Sequence, residues 1–143
     1  MEQPGDEQPK REMAIQGRLL LAEDEESMLE FERDLLVGAG AEVTIVRKRD
    51  EIKDRLLIEV FDALVMNGKS NGITALEVYQ WLAEKRPGME NRILFTFATM
   101  DSETREFLEK NKVAFLVKPF EVGELISATR KVMQKTLAAA AGE

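Results

Sequence analysis

Two residue types are missing altogether: the chain has no cysteine and no histidine. Without cysteine there is no disulfide and no thiolate metal site, a usage that fits a cytoplasmic protein. Without histidine it lacks the commonest general base, the commonest nitrogen ligand for a metal and any phosphohistidine of its own. No apolar run approaches the roughly 18 residues of a membrane span. The opening stretch, Met1 to Arg11, is polar and has no signal-peptide core. Positive charge is short: 20 Lys and Arg stand against 27 Asp and Glu. That balance argues against nucleic acid as a partner through its phosphate backbone. Proline occurs only four times. Pro4 and Pro9 fall with Gly5 in a flexible tail or linker, residues 1–16.

Hydrophobic residues make up 44% of 143, enough for one packed domain. Leu19-Leu20-Leu21-Ala22 is a short apolar run ending in Glu23-Asp24-Glu25-Glu26, a buried strand and an acidic loop. Ser27 is a candidate N-cap with Glu30 as its capping-box partner, and Met28, Phe31, Leu35 and Leu36 have helical spacing. Glu42–Val46 reads as a strand and Arg47–Glu59 as a helix using Ile52, Leu56 and Leu57. Asp62–Met66 is a third strand, ending at Asn67. A helix over Ile73–Lys85, a strand over Arg92–Phe97, a helix opened by Asp101, a strand over Val113–Val117 and an amphipathic helix from Val122 follow. Strands without alternation, joined by helices, predict a doubly wound five-stranded parallel sheet covered on both faces, an α/β domain over residues 17–136. Residues 137–143 are expected to fray.

In such a sheet the carboxyl ends of neighbouring strands converge on one crevice. Here they carry Glu23 and Asp24, Asn67, Thr96-Phe97, and Lys118 followed by Pro119. No glycine-rich phosphate loop follows a strand, and no nucleophile–base pair is visible, so an enzyme is not expected. The bland readings are a charged helix start at Glu23–Glu26, an ordinary turn at Lys118-Pro119, and core packing for Phe97 and Phe115.

Leu-Leu-Leu-Ala-Glu23-Asp24-Glu25, Asp62-Ala-Leu-Val-Met-Asn67 and Lys118-Pro119-Phe120 together resemble the three motifs of response-regulator receiver domains, over roughly residues 18–134. The resemblance implies a flavodoxin-like (βα)5 fold with strand order 2-1-3-4-5 and a cis bond at Lys118-Pro119. It implies a place in a two-component phosphorelay, with a sensor histidine kinase or another signalling protein as partner and a homodimer through the helix 4–strand 5–helix 5 face. It also implies a Mg²⁺ site from Glu23, Asp24, position 67 and the backbone carbonyl of Lys69, with Lys118 as a point charge on the phosphoryl oxygens. A hydroxyl at the end of the fourth strand and an aromatic at Phe115 would follow phosphorylation.

The chain departs from that pattern. Asn67 stands where the phosphoacceptor aspartate belongs, and an amide is too weak a nucleophile to form an acyl phosphate. Mg²⁺ binding would be weakened by the lost charge. The best alignment puts Phe97 in the hydroxyl position, and a one-residue slip would put Thr96 there. The leading reading is a pseudo-receiver acting by protein–protein interaction. The alternative is an ordinary receiver, even part of a hybrid kinase, whose aspartate is substituted, or restored by deamidation at Asn67-Gly68. Lys118 is either a phosphoryl-recognition residue or an ion-pair partner of Glu23 or Asp24.

Overall fold

A computed structural model describes residues 15–69 and 73–141. Five strands alternate with five helices: β1 Gly17–Ala22, α1 Glu26–Gly38, β2 Ala41–Val46, α2 Arg49–Ile58, β3 Ala63–Asn67, α3 Ala75–Lys85, β4 Ile93–Phe97, α4 Ser102–Lys110, β5 Ala114–Val117 and α5 Val122–Ala141. The strands form one parallel sheet in the order β2-β1-β3-β4-β5. This is the doubly wound architecture and strand order expected from the sequence. β1 and β3 lie inside the sheet, and Leu19 to Ala22 and Ala63 to Met66 are each 0% exposed. Both faces of those strands are covered, which is why their sequences run apolar without alternation.

Side chains alternate across the sheet and build two cores. Leu20, Leu64, Met66, Phe95 and Phe97 pack on the side of α2, α3 and α4. Leu19, Leu21, Val65 and Leu94 pack on the side of α1 and α5.

Several local expectations need correcting. The N-cap of α1 is Glu25, whose carboxylate accepts from the Ser27 and Met28 amides. Glu25 wins because its carboxylate satisfies two orphan N–H groups at once, and its charge favours the helix start. The inward face of α1 is Leu29, Glu32 and Leu36, whereas Phe31 is 39% exposed. Leu57 of α2 is also exposed, leaving Ile52 and Leu56 in the core. Ile15 lies within the stretch read as tail, yet it is 1% exposed and its N–H donates to the Ala39 carbonyl at 2.8 Å. The rest of that stretch, residues 1–14, lies outside the described residues. α5 continues through Ala141, past the expected fraying point, and residues 142–143 are outside the described set.

Candidate functional site

The carboxyl ends of β1, β3 and β5 meet as expected, and one carboxylate ties them together. Glu23 follows β1 and is 0% exposed. Its Oε2 accepts from the Asp24 amide at 3.1 Å and the Glu25 amide at 3.2 Å. Asn67, at the last position of β3, points its Nδ2 at the same carboxylate, 3.1 Å from Oε2 and 3.4 Å from Oε1. Lys118, just after β5, brings its Nζ to 3.1 Å from Oε1. Two main-chain amides, one side-chain amide and one ammonium thus surround the carboxylate. A buried ion pair is tolerated when its remaining lone pairs are also satisfied, as they are here. Of the two roles read for Lys118, the ion pair with Glu23 is the one formed in this arrangement.

The Asn67 amide has only one orientation that suits its neighbours. Its Oδ1 accepts the Lys69 N–H at 3.0 Å, and its Nδ2 faces Glu23. Reversing it would set oxygen against carboxylate and N–H₂ against N–H. The Lys69 amide is therefore folded back onto position 67, in a short turn that begins at Gly68.

The fourth strand supplies both disputed residues, in different places. Thr96 pairs in register with Asn67. It is 0% exposed, and its Oγ1 is buried without a hydrogen-bond partner. Alternation puts Thr96 on the α1/α5 side of the sheet and Phe97 on the other. The Phe97 ring packs over Gly68, where an added Cβ would collide with it. That close approach requires glycine at 68. The main chain of Phe97 also helps fix the site, because its carbonyl accepts the Lys118 N–H at 2.7 Å. Phe115 pairs in register with Phe95, two positions before the strand end, and lies under the Arg105 guanidinium at 5.3 Å. The Lys118-Pro119 bond is cis, as the resemblance implied.

One residue of this neighbourhood escaped the sequence reading. Glu32, on the inner face of α1, is 1% exposed, and its Oε2 has no hydrogen-bond partner. Burial pushes its carboxyl up to about 7, with Glu23 and Glu25 adding to the rise and Lys118 opposing it. A signal existed: Leu29, Glu32 and Leu36 share the i, i+3, i+7 spacing of a buried stripe. Reading the helix phase from Met28 and Phe31 hid it.

The donors around Glu23 bear on a metal. Mg²⁺ requires oxygen ligands in near-octahedral geometry. Both oxygens of Glu23 face N–H groups, and position 67 turns a donor, not an oxygen, toward them. Among the described residues no group of three or more His, Cys, Asp or Glu is placed to hold a metal ion. In this arrangement the side chains do not fit a divalent cation.

No protein-family model matches the chain. The phosphate regulon transcriptional regulatory protein PhoB of Rhizobium meliloti is 27% identical over 120 residues, covering 82% of this chain and 52% of that protein. The chain thus spans about half the length of the curated relative it matches. Among solved structures, a CheY-like response regulator receiver domain protein of Methanospirillum hungatei superposes with a TM-score of 0.77 at 19% identity, over 87% of this chain and 99% of the other. Full-length FixJ of B. japonicum gives 0.74 at 23% identity, over 87% of this chain and 61% of that one. The beryllofluoride-activated NtrC4 receiver domain, solved as a dimer, gives 0.74 at 19%, over 83% and 98% of the two chains. The fold of this chain is that of response regulator receiver domains.

Proposed function

We propose that this chain is a receiver module of a two-component signalling system that takes no phosphoryl group at Asn67 and acts by protein–protein interaction. One observation carries the reading: Asn67 and Lys118 both spend their donors on Glu23. The two groups that would serve an incoming phosphoryl group instead hold each other's neighbour in place. Phe97 supports the same reading, because its ring occupies the space beside Gly68 that the family gives to a hydroxyl. Mg²⁺ binding among Glu23, Asp24, Asn67 and the Lys69 carbonyl is correspondingly weak, and the mechanism needs no step through it. The module is non-enzymatic. A sensor kinase or another signalling protein is the partner class. The α4–β5–α5 face, where Val117 and Val122 are exposed, is the surface for self-association. A similar receiver domain solved as a dimer supports self-association as such.

The deamidation alternative is disfavoured by the local backbone. Conversion of Asn67 needs the Gly68 nitrogen to attack the side-chain amide, and that N–H is held by the Thr96 carbonyl at 2.8 Å. Intact-mass spectrometry after incubation with acetyl phosphate and Mg²⁺ tests the whole reading. The native chain is expected to stay at its unmodified mass. Asn67→Asp restores the nucleophile, and a phosphoryl adduct on that variant alone would locate the block at position 67. An adduct on the native chain, lost in Asn67→Ala, would overturn the proposal.

A further inference from the structure

The opposite pole of the sheet, where the strands begin, carries a second cluster that the receiver reading does not use. A groove of about 310 Å³ opens there between the end of α2 and the connection from α3 to β4. Val60, Pro87 and Met89 give it an apolar lining over the buried Leu56 and Phe61, and its charged lining is Lys85, Arg86 and Arg92 against one carboxylate, Glu59. Glu59 is already engaged. Arg18 Nη2 lies 2.9 Å from its Oε1, and Arg55 pairs with its other oxygen. These two guanidiniums hold its carboxyl below the usual range.

Arg86 and Arg92 are not so supplied. Among the described residues neither has a carboxylate partner. Each makes one long bond to a main-chain carbonyl, Arg86 Nη2 to Glu59 O and Arg92 Nη1 to Phe61 O, both 3.4 Å. The Arg92 Nε is buried with no acceptor. Buried N–H groups of a cation seldom go unmatched, because the lost hydration is not replaced. A guanidinium presents forked donors whose natural complement is phosphate or carboxylate.

We propose that this groove binds a small phosphorylated organic anion, the phosphate between Arg86 and Arg92 beside Lys85, and the apolar body against Val60, Pro87 and Met89. Its volume is at the lower end of small-molecule sites, about 300–1,000 Å³, which suits a nucleoside monophosphate or something smaller. The negative charge of the whole chain does not oppose this locally, since Arg18 and Arg55 neutralise the one acid in the lining.

The test is a titration of the ¹⁵N-labelled full chain with adenosine 5′-monophosphate, and separately with inorganic phosphate, at low ionic strength. Saturable shifts are expected at the Glu59, Val60, Gly88 and Met89 amides with both probes, several-fold tighter with the nucleotide because of its apolar body. Arg86→Gln, at a half-buried position, is expected to weaken binding about tenfold, and Arg86→Gln with Arg92→Gln to abolish it. If the double variant is poorly folded, the single variant still decides. Absence of saturation, or unchanged affinity in Arg86→Gln, would overturn the proposal. So would shifts of the residue 1–14 amides in the ligand-free double variant, which would assign the groove to the chain's own acidic N-terminal segment.

Discussion

On the face of the sheet covered by α2, α3 and α4, the buried side chains that the strands contribute are all apolar, ending in the Phe97 ring against Gly68. On the face covered by α1 and α5, the interior admits Glu32, Thr96 and Thr129. Thr129 meets its need locally, donating to the Leu125 carbonyl at 2.8 Å. Glu23 meets its need through four donor groups, while Glu32 leaves one oxygen bare. Burial is equal for the two acids, but only Glu23 has donors gathered around its carboxylate. The apolar face should therefore respond to volume, and the polar face to charge and pH.

The sharpest way to break this contrast is Lys118→Met. It strands the buried Glu23 carboxylate, and a loss of about 3–5 kcal/mol in the urea unfolding free energy is expected. Recovery of much of that loss on adding Glu23→Gln would locate the cost in the unpaired charge. A loss below about 1 kcal/mol would mean that the pair is dispensable, like a surface one.

Next in size is the pH dependence set by Glu32. Its carboxyl is raised from an ordinary 4.5 to about 7 in the fold. Below 4.5 both the folded and unfolded chains carry the proton, and nothing is lost. As pH rises through that range to above 7, the unfolded chain releases its proton first and gains stability relative to the fold. Folding is then weakened by up to about 3 kcal/mol by pH 8. Thermal unfolding between pH 5 and 8 should show this decline, and Glu32→Gln should flatten it. An equal slope in the variant would place the titration elsewhere.

The smallest effect belongs to the apolar face. Gly68→Ala drives a methyl group into the Phe97 ring, for an expected loss of about 1–3 kcal/mol. In a double-mutant cycle with Phe97→Ala, the cost of the methyl group should largely vanish. If the two changes simply add, the ring is not what excludes a side chain at 68.

How much of this was legible in the sequence follows from the same contrast. β1 and β3 announced themselves because both of their faces are buried, so their composition alone identified them. The convergence of Glu23, Asn67 and Lys118 was legible because strand ends in a parallel sheet share one edge, wherever the side chains point. Glu32 was not, because a one-residue error of helix phase exchanges Phe31 for Glu32 on the inner face, and the apolar residue was the more natural choice. Arg86 and Arg92 were not singled out either. Nothing in their local sequence shows that two other arginines have already claimed the neighbouring acid.

The bond from Lys118 to Glu23 spans 95 residues, and that from Asn67 spans 44. Contacts so far apart in the chain are slow to form, because the loop must close before the contact can repay it. Glu23 precedes both of these partners in the chain, and its carboxylate gains them only when β3 and β5 are docked beside β1. The full set of donors around that carboxylate exists only once the last strand is in place, so a complete network marks a finished fold. A partner that recognised the loops gathered around Glu23 would discriminate against any chain still lacking its fifth strand.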